Sequence, residues 1–188
     1  ASGAYPVTIG GINSAGAKPS VAILIRASAN VACSIQTTLS AKWSVKRRWK
    51  KSWAEIAGQV KAMSRGLRDL GLQPGDRVVL VAENRPEWLV ADLAVMAAGG
   101  ITVPAYTTAL TSDHRHVLTD SGAVGAIVST TALADRLLPA VLDAPACRWV
   151  IAIEEPRRAR AGAVPLHRWD AVLENGAALL QEAGDDGA

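Results

Sequence analysis

From residue 52 onward, short β-branched runs alternate with segments of helical periodicity, and this alternation restricts the possible folds more than any other feature. The apolar runs predict four strands, at residues 77–82, 101–103, 123–129 and 148–153. The run Val78-Val-Leu-Val81 is apolar at every position, as in strands that are buried on both faces. Strands that alternate with helices indicate βαβ units. We therefore predict an α/β fold, with a mostly parallel sheet and flanking helices in three layers.

The segments between these strands carry helix signals. Ser52 and Glu55 have the spacing of a capping box, and an apolar stripe at helical intervals continues from there to Leu70. Four further helices are predicted from similar signals: one that begins at Pro86, one that Thr111 or Ser112 caps, one that begins at Thr131 and one over 169–182. Residues 156–165 are predicted to form a basic loop, and residues 184–188 a frayed end.

The charge of the chain is distributed unevenly. Residues 1–54 contain eight Lys or Arg and no Asp or Glu, whereas residues 55–188 contain twelve basic and seventeen acidic residues. Six early basic residues form one run, interleaved with three tryptophans: Lys42, Lys46, Arg47, Arg48, Lys50 and Lys51, with Trp43, Trp49 and Trp53. We favour a solvated basic hairpin. The alternatives are a surface for nucleic acid or anionic membranes, and an acid-poor transit peptide.

Cysteine usage and the lack of a long apolar segment indicate the compartment. Cys33 and Cys147 are far apart, and neither belongs to a CxxC or zinc-site spacing, so a reducing compartment is expected. The apolar stretch 21–25 is much shorter than the roughly 20 residues of a membrane span. We expect a cytoplasmic protein, with a peripheral membrane contact through the basic run as a further expectation.

Few residues have the spacing of a catalytic or binding motif. The glycine pairs Gly10-Gly11 and Gly99-Gly100 belong to no phosphate-binding motif. His114 and His116 lie on different faces of a helix, so we expect solvated or hydrogen-bonded side chains rather than metal ligands. Glu154-Glu155 follows a strand end, where open α/β sheets bind ligands, but no second motif accompanies it. We therefore assign no catalytic, cofactor-binding or metal-binding residue.

An ordered series of short blocks carries a more specific signal. The blocks are Ser52-Trp-Ala-Glu-Ile56, Gly71-Leu-Gln-Pro-Gly-Asp-Arg-Val-Val79, Glu83-Asn-Arg-Pro-Glu-Trp88, Ala97-Ala-Gly-Gly-Ile-Thr-Val-Pro-Ala-Tyr106 and Leu118-Thr-Asp-Ser-Gly122. Over residues 49–155 the chain resembles the first part of the large domain of adenylate-forming enzymes, the AMP-dependent synthetases and ligases. The segments 84–88 and 106–108, with Asp113-His114, make it most similar to long-chain fatty acyl-CoA synthetases.

This resemblance implies a ligase that uses ATP and Mg²⁺ to convert a fatty acid into an acyl adenylate, and then transfers the acyl group to coenzyme A. In the family, the residues that perform these steps lie in later motifs, and the 188 residues contain none of those motifs. The resemblance therefore transfers no site residue. It implies a fragment that is inactive alone, binds none of these cofactors, and meets its fatty acid through the remainder of an enzyme.

The resemblance also suggests a division of the chain into three parts. Residues 1–48 are expected to form an irregular basic leader that ends in a hairpin, residues 49–155 an α/β subdomain, and residues 156–188 a loop, a helix and a frayed end before the phosphate loop. Two other functions stay open: an α/β module that binds a small ligand near Glu83 and Tyr106, and a basic tryptophan-bearing module for nucleic acid or membranes. We expect a weak contact with anionic membranes and no specific nucleic-acid partner.

Overall fold

The structure is a computed structural model, and it describes residues 51–155, 157 and 160–185. Of the basic run, only Lys51 belongs to this part of the chain. The predictions for residues 1–48, including the glycine pair 10–11 and Cys33, lie outside it. Contacts divide the chain after Ile56 into two units, and the description below concerns residues 57–185 except where residues 51–56 are named.

Five helices and six strands follow one another along the described residues. They are α1 (Trp53–Asp69), β1 (Arg77–Val81), α2 (Pro86–Ala97), β2 (Ile101–Pro104), α3 (Thr111–Ser121), β3 (Gly125–Val128), α4 (Thr131–Val141), β4 (Trp149–Ala152), β5 (Arg160–Ala161), β6 (Val164–Arg168) and α5 (Trp169–Asp185). The five predicted helices and four predicted strands are all present.

The strands form one sheet in the order β2-β1-β3-β4-β6-β5. β2, β1, β3, β4 and β6 pair in parallel, and only β5 runs antiparallel to its neighbour. Val79, for example, lies opposite Val103 on one side and Ala126 on the other. The four predicted strands therefore form one parallel sheet, as expected.

Both faces of the central strands are covered. Val79 and Val81 belong to a buried cluster that includes residues of α3 and α4. Val78 and Leu80 point to the opposite face, because side chains alternate along a strand, and they are equally buried. Burial on that face requires a second layer of helices. Helix α2 packs against β1 and β2 but contributes no residue to the cluster with α3 and α4, so it covers this second face. The predicted three-layer arrangement is confirmed.

The structure contains the predicted capping box of α1 and the predicted start of α2. At α1, the backbone N–H of Ser52 donates to the Glu55 carboxylate at 2.6 Å, and the Glu55 N–H donates to the Ser52 hydroxyl at 3.2 Å. Gln73 and Asp76 close the turn before β1 through two 3.0 Å hydrogen bonds, with Gly75 at φ +84°. Pro86 is the first residue of α2.

Helices α1 and α5 cross at two glycines. A Cβ atom on Gly66 would lie 2.6 Å from the Val172 carbonyl oxygen, and one on Gly176 would lie closer still to the backbone of Ala62. Near this crossing, the Asn175 side-chain amide donates to Asp69 at 2.9 Å. Glycine at both positions allows the two backbones to approach each other.

The structure corrects three predictions. The predicted loop at 156–165 contains β5 and the beginning of β6, which pairs with β4 although it includes Pro165. Helix α3 follows Leu110, whose N–H donates to Asp113, whereas the Thr111 hydroxyl donates to the Arg136 carbonyl instead of capping the helix. Helix α5 continues to Asp185 and so includes part of the predicted frayed end.

Candidate functional site

The carboxyl ends of β1 to β4 meet at one edge of the sheet, because these strands are parallel. The polar residues that follow the strands lie along this edge, where open α/β sheets bind ligands. Six residues form what we call the carboxyl edge: Glu83 and Arg85 after β1, Tyr106 after β2, Ser129 after β3, and Glu154 and Glu155 after β4.

A hydrogen bond joins the ends of β1 and β3 at this edge. The Ser129 hydroxyl, which is 1% exposed, donates to the Glu83 carboxylate. The backbone continues the same link, because the N–H of Ser129 donates to the Val81 carbonyl and the N–H of Glu154 donates to the Ser129 carbonyl. Ser129 therefore fixes the position of Glu83 from the neighbouring strand.

Arg85 carries a second link across the edge. Its Nε lies 2.9 Å from the Glu87 carboxylate and its Nη1 lies 3.5 Å from that of Glu154. Partial burial lowers the pKa of Arg85, but its hydrogen bond to Glu87 and the charges of Glu87 and Glu154 more than offset this, so its pKa is raised. The guanidinium therefore stays charged and holds the segment after β1 against the end of β4.

Glu154 and Glu155 are adjacent in sequence but face different partners. Glu154 pairs with Arg85, whereas Glu155 lies 3.2 Å from Arg168 at the end of β6. The Thr131 hydroxyl also donates to the Glu155 carbonyl, at 3.3 Å. This dipeptide therefore contacts three elements at the edge, although the Glu155–Arg168 pair is too exposed to contribute much stability.

The other candidate residues lie apart from this network. Tyr106 is 86% exposed, and its side chain projects from the loop after β2. His114 is fully buried and His116 is exposed, so the two imidazoles lie on different faces of α3, as predicted. The expectation that each is solvated or hydrogen-bonded is wrong for His114, because neither of its ring nitrogens has a hydrogen-bond partner among the described residues.

The sequence did not single out Arg85 or Ser129 as members of the site. Arg85 stands in the block Glu83-Asn-Arg-Pro-Glu-Trp88, which indicates the family resemblance and not a site, and Ser129 is the last residue of the predicted strand 123–129. Their spacing from a parallel strand end is the signal that could have identified them, since such ends meet at one edge.

The side chains of the carboxyl edge do not match the needs of a phosphate-binding group. The edge and its ion-pair partners Glu87 and Arg168 together contain four glutamates and two arginines, and each arginine is already paired with a carboxylate of the edge. A polyphosphate requires unpaired cations and backbone N–H groups, so these residues do not fit the phosphates of ATP. Within the described ranges, no group of three or more His, Cys, Asp or Glu is placed to hold a metal ion.

Among the described residues, no helix combines the length and the apolar character that are needed to cross a bilayer.

An open parallel sheet with helices on both faces defines an α/β class of protein, and comparisons identify the family within it. The family model "AMP-binding enzyme" matches residues 32–178, beyond the predicted 49–155 on both sides. The chain belongs to this family of AMP-binding enzymes.

Relatives and solved structures agree with this assignment. The long-chain-fatty-acid–CoA ligase FadD15 of Mycobacterium tuberculosis is 41% identical over 100 residues, which are 53% of this chain and 17% of that protein. The feruloyl-CoA synthase of Amycolatopsis sp is 36% identical over 72 residues, 38% of this chain and 15% of that protein. The chain therefore aligns with only about a sixth of these relatives.

A solved structure shows the same fold. The A-PCP didomain of the carboxylic acid reductase from Segniliparus rugosus, in complex with AMP, has a TM-score of 0.64 at 16% identity. The match covers 93% of this chain and 24% of that one. The predicted resemblance to adenylate-forming enzymes is thus confirmed, while the predicted three-part division of the chain stays a prediction.

Proposed function

We propose that this chain supplies the first part of the large domain of an acyl-CoA ligase whose acid substrate is a long-chain fatty acid. The 41% identity to the FadD15 ligase over 100 residues carries the proposal. In the proposed reaction ATP activates the fatty acid as an acyl adenylate, with Mg²⁺ on the phosphates, and coenzyme A accepts the acyl group. The lower identity and shorter match to the feruloyl-CoA synthase favour an aliphatic acid over an aromatic one.

The described residues would serve this enzyme as a scaffold. Ser129 holds Glu83, and Arg85 joins the segment after β1 to Glu154 after β4. These links fix the ends of three strands relative to one another. Because the carboxylates of this edge repel phosphate oxygens, we place the groups that bind ATP elsewhere in the enzyme. The 188 residues alone are then inactive and bind neither ATP, Mg²⁺ nor coenzyme A.

Two assays test the proposal. The complete product of the gene, given ATP, Mg²⁺ and coenzyme A, should release AMP and form acyl-CoA with palmitate and much more slowly with ferulate. A preference for ferulate would contradict the substrate, and no thioester with any acid would contradict the activity. The 188 residues alone should give no fatty-acid-dependent ATP–pyrophosphate exchange, and exchange above a blank by the pure chain would contradict the scaffold role.

We also propose that the enzyme is cytoplasmic and makes a weak contact with membranes through the basic run. A long-chain fatty acid partitions into membranes, and each basic residue near an anionic surface contributes about 1 kcal/mol. The chain should therefore co-sediment with anionic vesicles at low salt but not at high salt, and K46E combined with R47E should weaken this. Equal sedimentation of the two proteins would contradict the membrane contact. The expectation of no specific nucleic-acid partner stays a prediction.

A further inference from the structure

His114 is a buried imidazole without a hydrogen-bond partner. The residue is 0% exposed, and neither Nδ1 nor Nε2 is paired in the part of the chain that the structure describes. A buried neutral imidazole with an unmade hydrogen bond is already costly, and an imidazolium with two buried unpaired donors costs far more. The packing around His114 therefore depends on the imidazole staying neutral.

The charged groups near His114 come from the elements that pack against it. On its own helix, Asp113 favours the imidazolium, whereas Arg115 pairs with Asp143 at 2.7 Å. On α4, Arg136 opposes the imidazolium. The other charges on these elements have partners of their own: Asp135 of α4 pairs with Arg157, and Arg77 of β1 donates to the carbonyls of Ser121 and Gly122 at the far end of α3. Burial, the largest effect, lowers the pKa of His114.

Arg136 also fixes the loop that leads into α3. Its Nη1 donates to the Thr107 carbonyl at 3.2 Å, and its own carbonyl accepts from the Thr111 hydroxyl at 3.0 Å. This loop, residues 105–110, contains the exposed side chains of Tyr106 and Leu110. Arg136 therefore has two roles: it holds the loop to α4, and its positive charge would be repelled by a protonated His114.

We propose that His114 is an acid-sensitive latch for residues 105–110. The neutral imidazole lets α3 pack against α4, and Arg136 then holds the loop at Thr107 and Thr111. Protonation puts a second positive charge beside Arg136 and leaves two buried donors unpaired. The first turn of α3 separates from α4, both contacts of Arg136 break, and Tyr106 moves away from its place at the carboxyl edge.

Amide hydrogen exchange tests this latch directly. Protection at residues 105–114, corrected for the intrinsic effect of pH, should fall about threefold or more between pH 7.5 and 5.0, while β3 and β4 keep theirs. The variant H114L should lose this pH response. H116Q, which removes the exposed histidine of the same helix, should keep it. Unchanged protection at 105–114, an equal loss in β3 and β4, or a response that survives H114L would each overturn the proposal.

A second measurement covers the case in which H114L does not fold. The His114 imidazole of the wild-type chain can be followed by NMR. Its titration midpoint should lie below 6.5, and the protection at 105–114 should be lost as the pH falls from 6.5 to that midpoint. A midpoint at or above 6.5, or a titration that leaves the exchange of the loop unchanged, would overturn the latch.

Discussion

Gly125 lies against the indole of Trp149, its partner in the parallel pairing of β3 and β4. A Cβ atom on Gly125 would come within 2.4 Å of the indole carbons Cζ2 and Cη2. The indole is 1% exposed, and Trp149 is the largest fully buried side chain. In a chain without phenylalanine, a buried indole supplies more apolar area than any aliphatic side chain of the core can. The absence of a side chain at 125 gives the indole its space.

We expect G125A to destabilise the protein strongly. The added methyl group must displace a fully buried indole, and overpacking of a core costs about 1–3 kcal/mol. Urea unfolding, followed by tryptophan fluorescence and circular dichroism, measures the change in the free energy of unfolding. The control is G58A, at an exposed site in α1 where, among the described residues, no atom beyond the two adjoining residues and the backbone of the helix itself lies within 4 Å of the added Cβ. Alanine in that helix should stabilise by roughly 0.5–1 kcal/mol. Equal effects of the two substitutions would contradict the role of Gly125.

The parallel sheet could be predicted because local and tertiary requirements coincide in it. Val78 to Val81 are apolar at every position because helices cover both faces of β1. The hairpin of β5 and β6 could not be predicted in the same way. Its residues 164–167 are only half-buried, and Pro165 contradicts a strand in the sequence, so the pairing with β4 determines its structure.

The carboxyl edge could be predicted only in part. Glu154-Glu155 could be found because it follows a strand. Its partners could not, because Arg85 lies 69 residues from Glu154 and Arg168 lies 13 residues from Glu155. Such pairs depend on the order of the strands, which local patterns do not contain. The buried state of His114 was also missed, since a polar residue beside the exposed His116 gives no local sign of burial.

We expect R85Q to cost more stability than an equivalent change on the surface. The Arg85 and Glu87 side chains are each only 15% exposed, and Arg85 also reaches Glu154. Removing the charged partner of a half-buried carboxylate costs about 1–3 kcal/mol. The matched control is R115Q, because the Arg115–Asp143 pair is about half exposed on both sides and should contribute under about 1 kcal/mol. A loss for R85Q no larger than that for R115Q would contradict the structural role of Arg85.

The capping box of α1 should make its first turn dependent on pH. The hydrogen bonds from the backbone N–H and the hydroxyl of Ser52 lower the pKa of Glu55 below its ordinary value of 4.5. A lowered pKa means that the carboxylate stabilises the folded state above pH 4.5, and that this contribution disappears as the pH falls through the lower value. Helicity by circular dichroism should therefore fall between pH 5 and 3 by more in the wild type than in E55Q. The control is E174Q, a change at an exposed site within α5, which should follow the wild type. A loss of helicity in the wild type no larger than that in E55Q would contradict the capping role.

The thiol of Cys147 should make the protein less stable at alkaline pH. Burial raises its pKa to about 11 from 9.0, although its contact with the Trp149 carbonyl opposes the shift. The unfolded chain then loses this proton first, so stability should fall as the pH rises from about 9 to about 11, by on the order of 2 kcal/mol. All proteins should carry C33S, so that Cys147 is the one thiol. Urea unfolding at pH 8.5 and 10.5 should show a larger loss in this protein than in the same protein with C147A.

The reactivity of the same thiol provides an independent test of its burial. Cys147 is 4% exposed and protonated at neutral pH, and only the thiolate attacks a disulfide reagent. In the C33S protein at pH 8, we expect Cys147 to react with an aromatic disulfide at least a hundredfold more slowly in the folded state than in urea. A folded rate close to the rate in urea would show that the segment just before β4 opens freely, and it would contradict both the raised pKa and the alkaline loss of stability.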